Sequence, residues 1–346
     1  MRRFPTGIVA VVMSLATVVL VSGGLDQRGA APDPARVRLE RTVATGGTTT
    51  PRARTTAVVP PPKCAPSAPA VAPGGSTPPT TYRYGPDPAD VLDLYRPSSG
   101  PAVATPAPLI LFFHSGGWIG GTRTNVPDFV TRQIGNGWAV ASADYRFAPE
   151  APFPAAIEDA KWALRWLKAN ASNLGIRPDC ILAAGTSAGG HIAAMLTVTS
   201  GLLEPTGLPA DLESVDENVI GLLDVVGPTD LASLWREPTG WGPSITSSFL
   251  QCTRAGCDPE LLAESNPIDY IAPDDPPALL VYGGQDTLVT ATANGQSLAD
   301  AWAEIVGPTT VTYELVPDEG HNIDFVPGSG LDSTLTQFLA GARARP

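Results

Sequence analysis

The sequence predicts an α/β fold in which a mostly parallel β-sheet is covered by helices on both faces. Short, nearly continuous apolar runs of the kind found in buried strands recur between residues 91 and 316. Segments with the spacing of amphipathic helices separate several of these runs. Strands that alternate with helices imply parallel pairing and right-handed crossovers, and no internal repeat is apparent.

The predicted elements begin near Tyr82, after a long stretch without strand or helix patterns. Val91–Tyr95 alternates apolar and polar residues with a period of two, which predicts the first strand. Between residues 154 and 170 apolar side chains recur on one helical face, which predicts an amphipathic helix. The remaining predicted strands are 108–113, 138–144, 181–184, 219–226, 277–283 and 310–316, and the remaining predicted helices begin at Gly190, Leu298 and Leu331.

An insertion at about residues 228–275, interrupted by Pro and Gly, separates two of the predicted strands. We expect it to lie over the functional site like a lid and to shape the pocket. Trp235 and Trp241 lie within it. These indoles either stack on a sugar or an aromatic acid or simply pack the insertion, and packing is the favoured interpretation.

The N-terminal residues have the order of a targeting segment. A short basic head, Met1-Arg2-Arg3, precedes an uncharged and mostly apolar run from Ile8 to Val21, and small residues follow. This order predicts a secretory signal peptide over residues 1–25, and the uncharged span is also long enough for a retained membrane anchor. Residues 26–80 are rich in Pro, Thr, Ala and Gly, which predicts a disordered linker before a catalytic domain at 81–346. Both interpretations place the domain in a secreted or cell-envelope location.

Charge and cysteine content restrict the partners and the compartment. Residues 1–63 carry nine Lys or Arg against three Asp or Glu, whereas the rest of the chain carries 13 against 31. An acidic body argues against nucleic acid as a partner. The four cysteines suit an oxidising compartment. Their spacing suggests a small loop closed by Cys252 and Cys257 and a bond between Cys64 and Cys180, although four cysteines allow three connectivities.

The segment Gly185-Thr186-Ser187-Ala188-Gly189 has the form G-x-S-x-G and lies between a predicted strand and a predicted helix. In that context the pattern is a nucleophile elbow, a tight turn that presents a serine hydroxyl at the edge of a sheet. A side chain at Gly185 or Gly189 is expected to collide with a neighbouring strand or helix. Ser187 is therefore the candidate nucleophile.

A serine hydroxyl needs a general base, and the base needs a group that orients it. His321 lies in a loop after the last predicted strand, where the Ser, acid, His chain order requires the base. Asp286 lies at the end of the preceding strand and is the favoured acid. Three loop carboxylates closer to His321 in sequence are the less favoured alternatives: Asp318, Glu319 and Asp324.

The other two histidines have different expected roles. His191 follows Ser187 by four residues on the predicted helix and is expected to pack. His114 begins the run His114-Ser115-Gly116-Gly117-Trp118, which matches a glycine-rich oxyanion loop better than a base. The backbone N–H groups of Gly116, Gly117 and Ala188 are the expected oxyanion donors.

Taken together, the motifs resemble those of the alpha/beta-hydrolase superfamily, in its hormone-sensitive-lipase-like and feruloyl-esterase-like carboxylesterase branch. The resemblance covers roughly Tyr82 to Ala342. Ser115 stands where the family has the first glycine of its H-G-G-G motif, whereas the two glycines expected to donate are kept. The resemblance rests on Leu92-Asp93-Leu94-Tyr95, His114-Ser115-Gly116-Gly117-Trp118, Asp144-Tyr145-Arg146-Phe147-Ala148-Pro149-Glu150, Gly185-Thr186-Ser187-Ala188-Gly189-Gly190-His191, Gly284-Gln285-Asp286 and Gly320-His321.

The resemblance implies an alpha/beta-hydrolase fold with a lid-like insertion, a catalytic triad of Ser187, Asp286 and His321, and an oxyanion hole from Gly116, Gly117 and Ala188. It implies no cofactor and no metal. The expected activity is that of an exported serine carboxylesterase acting on small or medium esters, with Trp118 as a candidate substrate contact. An amidase or peptidase with the same triad is one alternative, and a cell-surface binding module with little turnover is another. The sequence does not report the oligomeric state.

Overall fold

A single eight-stranded sheet organises the part of the chain that the computed structural model describes, which is residue 64 and residues 78–97 and 106–344. The strands are β1 (Thr80–Arg83), β2 (Val91–Tyr95), β3 (Ala107–Phe113), β4 (Ala139–Ala143), β5 (Ile176–Thr186), β6 (Leu222–Val225), β7 (Ala278–Gly283) and β8 (Val311–Val316). Their order across the sheet is β1-β2-β4-β3-β5-β6-β7-β8. The pairs β1–β2 and β2–β4 are antiparallel, and every other pair is parallel. The mostly parallel sheet predicted from the sequence is confirmed.

Helices cover both faces of this sheet, since alternate residues of each central strand enter separate apolar clusters. In β3, Leu109 and Leu111 belong to one cluster, whereas Ile110 and Phe112 belong to the other. Each face therefore needs its own covering layer, as the continuous apolar runs predicted. The helices are α1 (Asp128–Thr131), α2 (Ala155–Ala169), α3 (Ala171–Leu174), α4 (Ala188–Val198), α5 (Ala210–Glu213), α6 (Leu231–Leu234), α7 (Trp241–Leu250), α8 (Pro259–Glu264), α9 (Ser297–Ile305) and α10 (Gly330–Ala344). Short 3₁₀ turns span Arg132–Ile134 and Pro267–Tyr270, and a π-helical turn spans Thr292–Gln296.

Most predicted elements are present, although the short helices α1, α3 and α5 were not predicted. Three further differences are notable. The first strand, β1, was not predicted because it is a four-residue edge strand with mostly exposed side chains and no apolar run. Strand β6 is shorter than the predicted 219–226. The insertion at 228–275 contains the helices α6, α7 and α8. They were not predicted because Pro and Gly residues interrupt the helical pattern of this segment.

Two disulfide bonds select one of the three connectivities. Cys64 is bonded to Cys180 of β5, and Cys252 is bonded to Cys257 within the insertion. The predicted signal or anchor at residues 1–25, and nearly all of the predicted linker at 26–80, lie outside the described residues. All of the described residues fall within one compact unit. Within the described ranges, no helix has the length and apolar character needed to cross a membrane.

Candidate active site

Ser187 stands in the turn between β5 and α4 with backbone angles that few residues adopt. Its φ is +54° and its ψ is −123°. A non-glycine residue in this region costs roughly 1–3 kcal/mol, and such strain persists only where the surroundings impose it. Here the Ser187 N–H donates to the Val225 carbonyl at the end of β6 with an N–O distance of 2.9 Å. This hydrogen bond holds Ser187 at the edge of the sheet where the carboxyl ends of the parallel strands β5 and β6 lie.

The two glycines that flank this turn are required by close backbone contacts. A Cβ on Gly185 would lie 2.0 Å from the carbonyl oxygen of Gly189 in α4. A Cβ on Gly189 would lie 2.0 Å from the carbonyl oxygen of Phe113 at the end of β3. The predicted collisions, one with the helix and one with a neighbouring strand, are confirmed. The G-x-S-x-G spacing therefore follows from how tightly the helix approaches the sheet.

His321 connects Ser187 to Asp286 by two hydrogen bonds. Its Nε2 lies 2.8 Å from the Ser187 Oγ, and its Nδ1 lies 2.7 Å from the Asp286 Oδ2. A carboxylate can only accept, so Nδ1 carries the proton and Nε2 is free to accept the proton of the serine hydroxyl. The imidazole is 27% exposed, whereas the Asp286 side chain is fully buried. The histidine can thus be reached from solvent while its partner cannot.

Asp286 is fixed on its other side by the chain that follows it. Its Oδ1 accepts the backbone N–H groups of Leu288 and Val289 at 2.9 and 3.0 Å. These bonds leave Oδ2 oriented toward His321. Within the described residues, none of the three alternative carboxylates hydrogen-bonds to the His321 ring. Asp286 follows the end of β7, and β7 lies beside β8, the strand that precedes His321. This placement brings the Asp286 carboxylate to the imidazole.

The loop after β3 comes close to the serine turn. Gly116 has a φ of +138°, and a Cβ there would lie 1.8 Å from the Gly120 carbonyl oxygen, so only glycine fits. Gly117 has a φ of +61°. In the described part of the chain, the N–H groups of Gly116, Gly117 and Ala188 donate no hydrogen bond to other groups. Three main-chain donors beside a serine are a suitable arrangement for a developing oxyanion.

Ser115, the residue that departs from the glycine motif, joins this loop to the serine turn. Its hydroxyl lies 2.7 Å from the Thr186 hydroxyl and 3.1 Å from the Thr186 carbonyl oxygen. Thr186 directly precedes Ser187. The serine that replaces a glycine therefore adds a tether between the loop and the turn. Sequence reasoning did not find Thr186, because it occupies a variable position of the motif.

His114 supports the loop from beneath and is fully buried. Its Nδ1 donates to the Ser115 carbonyl at 2.7 Å, and its ring stacks on Tyr145 with a centroid distance of 4.5 Å. Burial lowers the pKa of His114, and its hydrogen bond to Ser115 opposes this shift. His114 is thus part of the loop, and in the described structure its ring makes no hydrogen bond with Ser187.

Trp118 and His191 pack together beneath the insertion. Trp118 is 1% exposed, its Nε1 donates to the His191 Nδ1 at 3.2 Å, and its ring stacks on Phe249 at 4.4 Å. The expectation that Trp118 contacts substrate disagrees with this burial, because no face of the indole is accessible. The His191 Nε2 donates to the Ser265 carbonyl at 2.8 Å, and burial lowers its pKa to about 4. The neutral imidazole joins α4 to the insertion.

Asp224, at the end of β6, lies under the serine turn and has no exposed surface. A Cβ on Gly190, in the first turn of α4, would lie 2.2 Å from the Asp224 Oδ1. The Asp224 Oδ2 is 2.7 Å from the hydroxyl of Tyr282 in β7. Burial is the largest influence on this carboxyl and raises its pKa to about 7. No sequence pattern indicated this buried acid.

No group of three or more His, Cys, Asp or Glu side chains among the described residues is arranged to hold a metal ion.

The sheet order, the strained serine turn and the hydrogen-bonded Ser187, His321 and Asp286 define an alpha/beta-hydrolase architecture. The chain belongs to the BD-FAE family, whose model matches residues 92–301. The resemblance to the alpha/beta-hydrolase superfamily drawn from the motifs is confirmed.

Similar proteins include several mycobacterial esterases. The chain is 30% identical to the esterase LipC of Mycobacterium tuberculosis over 251 residues, which are 71% of this chain and 60% of LipC. It is 44% identical to the carboxylesterase NlhH of the same species over 97 residues, which are 28% of this chain and 30% of NlhH. The chain therefore spans only part of the length of the curated relatives that it matches.

Among solved structures, the chain resembles a truncated carbohydrate esterase from gut microbiota with a TM-score of 0.63 at 23% identity. That match covers 79% of this chain and 97% of the other. Esterase 2 of Thermogutta terrifontis matches with a TM-score of 0.58 at 24% identity, over 76% of this chain and 90% of that one. These similarities show a shared fold.

Proposed function

We propose that this protein is a serine carboxylesterase that hydrolyses small or medium carboxylic esters through an acyl-enzyme on Ser187. The observation that carries the proposal is the continuous hydrogen-bonded series from Asp286 through His321 to Ser187, with distances of 2.7 and 2.8 Å. Membership of the BD-FAE family supports it. The esterase names of the relatives LipC and NlhH support it further.

The proposed reaction begins when the Ser187 Oγ attacks the ester carbonyl and His321 Nε2 takes the hydroxyl proton. The imidazolium that forms is stabilised by Asp286, which remains ionised and keeps Nδ1 protonated. His321 then returns the proton to the departing alcohol, which leaves an ester between the acyl group and Ser187. Water attacks this acyl-enzyme with His321 again as the base, and the carboxylic acid is released.

Negative charge develops on the carbonyl oxygen during both attacks. The N–H groups of Gly116, Gly117 and Ala188 are the proposed donors to that oxygen, as they have no competing acceptor in the described structure. Such donors cost no reorganisation at the moment of reaction, and losing one typically lowers kcat about 10²–10³-fold. Gly116 and Gly117 both have a positive φ, a backbone conformation that glycine adopts readily.

We further infer that the enzyme acts outside the cytoplasm. Two disulfide bonds support this location, since disulfides persist in oxidising compartments. In this proposal residues 1–25 export or anchor the chain, residues 26–80 link them to the body, and 81–346 is the catalytic domain. Attachment of the full chain to membranes after cell fractionation, and its release by cleavage near residue 25, would distinguish an anchor from a signal peptide.

The test is hydrolysis of p-nitrophenyl esters, from acetate to palmitate, by the full-length protein. Ser187→Ala and Asp286→Asn are expected to lower kcat by about 10⁴-fold or more, because the nucleophile or the correct imidazole tautomer is lost. Two matched variants should retain activity: Ser333→Ala on the exposed surface of α10, and Asp318→Asn on the loop of His321. Unchanged turnover in Ser187→Ala would exclude the mechanism.

The same triad could also cleave amides or peptides. Comparison of an ester with its isosteric amide separates the two activities, and the esterase proposal expects the ester to react faster by at least about 10²-fold. A fluorophosphonate probe should label the full-length protein at Ser187. A folded protein that neither labels nor hydrolyses any of these substrates would instead support a binding module with little turnover.

A further inference from the structure

The chain turns sharply at the end of β6, at residues 224–227, which we call the β6 turn. Val226 in this turn has a φ of +50° and is buried. For a β-branched side chain this left-handed conformation is an outlier, and such strain persists only where the surroundings impose it. Ser187, with a φ of +54°, is a second outlier in the turn after β5. Because strain of this kind concentrates at functional sites, the β6 turn is a candidate part of the site.

Main-chain pairing joins the β6 turn to the serine turn. Strands β5 and β6 are parallel, with Gly185 opposite Asp224 and Thr186 opposite Val225. The next link is the hydrogen bond from the Ser187 N–H to the Val225 carbonyl, with an N–O distance of 2.9 Å. The position of the Val225 carbonyl therefore determines where the backbone of the candidate nucleophile lies.

Two buried side chains close the β6 turn. The Asp224 Oδ1 accepts the Gly227 N–H at 2.9 Å. The Tyr282 hydroxyl, from β7, lies 2.6 Å from the Gly227 carbonyl oxygen and 2.7 Å from the Asp224 Oδ2. Neither side chain has exposed surface, so a broken hydrogen bond here would leave a polar group buried without a partner. These bonds fix the chain on both sides of Val226 and explain why its strained conformation persists.

The same carboxyl group also separates the β6 turn from the helix that begins at the serine. A Cβ on Gly190, in the first turn of α4, would lie 2.2 Å from the Asp224 Oδ1 and 3.0 Å from the Gly227 Cα. A Cβ on Gly227 would likewise lie 2.2 Å from the Asp224 Oδ1. Both glycines therefore leave space that the carboxyl group occupies. Asp224 thus contacts the β6 turn and the start of α4 at once.

We propose that Asp224 and Tyr282 are positioning residues for ester hydrolysis. They hold the β6 turn, so that the Val225 carbonyl keeps Ser187 in register with the His321 ring. This inference rests on the proposed esterase function. A displacement of about 1 Å between reacting groups can lower a rate about 10²-fold. Because both side chains are buried and contact no substrate, their loss should lower kcat and leave KM nearly unchanged.

The experiment measures kcat and KM for p-nitrophenyl acetate, and the rate of labelling by a fluorophosphonate probe, with the full-length protein. Tyr282→Phe removes only a hydroxyl, and it should lower kcat about 10- to 100-fold while KM changes less than about 2-fold. Labelling should slow in parallel, because the probe reacts with Ser187 itself. Asp224→Ala should act in the same direction. Asp224→Asn keeps a hydrogen-bonding group on both sides and should retain kcat within about 3-fold.

Thr199→Val is the matched control, at the opposite end of α4. The Thr199 hydroxyl is buried and donates to the Met195 carbonyl at 2.6 Å. Valine has nearly the same shape, so this variant also loses one buried hydroxyl and its hydrogen bond. Its kcat and its labelling rate should equal those of wild type. All proteins are compared well below their Tm, so that a loss of stability alone does not lower activity.

Three results would overturn the inference. Wild-type kcat and labelling in folded Tyr282→Phe would show that the hydroxyl does not position Ser187. Equal losses in Asp224→Asn and Asp224→Ala would show that the hydrogen bonds of the carboxyl are not the cause, and this pair decides the question if Tyr282→Phe does not fold. An equal loss in Thr199→Val would show that any buried hydroxyl of the domain has the same effect. By contrast, a wild-type protein that neither labels nor hydrolyses the ester contradicts the proposed function itself, and the inference fails with it.

Discussion

Burial raises the pKa of Asp224 to about 7, so this carboxyl is predicted to be mostly protonated below neutral pH. Its Oδ2 is 2.7 Å from the Tyr282 hydroxyl, and that hydroxyl is also 2.6 Å from the Gly227 carbonyl oxygen. A phenol has one proton and a carbonyl can only accept, so Tyr282 donates to Gly227 when both bonds are made. A protonated Asp224 can then donate from Oδ2 to the phenol oxygen, whereas an ionised Asp224 accepts the Tyr282 proton at Oδ2. In both forms Oδ1 accepts the Gly227 N–H.

The pH dependence that follows has a defined sign and size. Burial raises the pKa of Asp224 from 3.8 to about 7 against the opposing hydrogen bonds from Tyr282 and Gly227. A folded pKa above the unfolded value contributes stability that is complete below pH 3.8 and is lost as the pH rises through 7. About three pH units at roughly 1.36 kcal/mol each correspond to about 4 kcal/mol. For a domain of this size that is a change in Tm on the order of 10 °C.

Asp224→Asn tests this reasoning because an amide keeps both hydrogen bonds and cannot ionise. The free energy of unfolding of wild type and variant is measured in urea between pH 4 and pH 8. The variant should gain about 4 kcal/mol relative to wild type across that range, since other titrating groups cancel in the difference. A difference that stays flat with pH would refute the assignment of a proton to Asp224.

Three further predictions concern the supports of the site. Ser115→Ala removes the hydroxyl bonded to Thr186; an exposed neutral hydrogen bond contributes about 0.5–1.5 kcal/mol, so the kcat of ester hydrolysis should fall about 2- to 10-fold with little change in KM. Gly189→Ala places a Cβ 2.0 Å from a main-chain oxygen, so calorimetry should show a loss of about 3 kcal/mol or more. Alanine at both Cys64 and Cys180 removes a cross-link spanning 116 residues, so urea unfolding should show a loss of about 2–5 kcal/mol.

Each of these predictions has a result that contradicts it. Wild-type kcat in Ser115→Ala would mean that the loop holds its position without the tether. A Gly189→Ala protein of unchanged Tm would mean that α4 can move away from β3 at little cost. For the cross-link, the control is removal of the Cys252–Cys257 bond, which spans only five residues and should matter less. Equal losses for the two disulfides would contradict the reasoning from loop length.

Local patterns were sufficient to predict the central strands and the serine turn. In β3 the run from Leu109 to Phe113 is apolar at every position because both faces of a central strand are covered. Gly185 and Gly189 were predicted to avoid collisions, and their contacts at 2.0 Å agree. The sequence order of Ser187, Asp286 and His321 also indicated which residues meet, because the ends of parallel strands lie along one edge of the sheet.

Other features depend on neighbours that are distant in sequence and carry no local pattern. Trp118 was a candidate substrate contact, yet its ring is buried and stacks on Phe249 of the insertion. The role of Ser115 depends on Thr186, which is 71 residues away. Trp235 and Trp241 were indistinguishable in the sequence, whereas in the structure Trp235 is buried and Trp241 is exposed.

The sequence by itself determined the fold class and placed Ser187 in a tight turn between a strand and a helix, because apolar periodicity and glycine requirements act between residues close along the chain. Only the tertiary structure decided the cysteine pairing, the burial of Trp118 and the burial of Asp224 that raises its pKa. Each of those depends on how segments separated by tens of residues pack, and packing changes the dielectric surroundings and the available hydrogen-bond partners of a side chain without leaving a signature in its own segment.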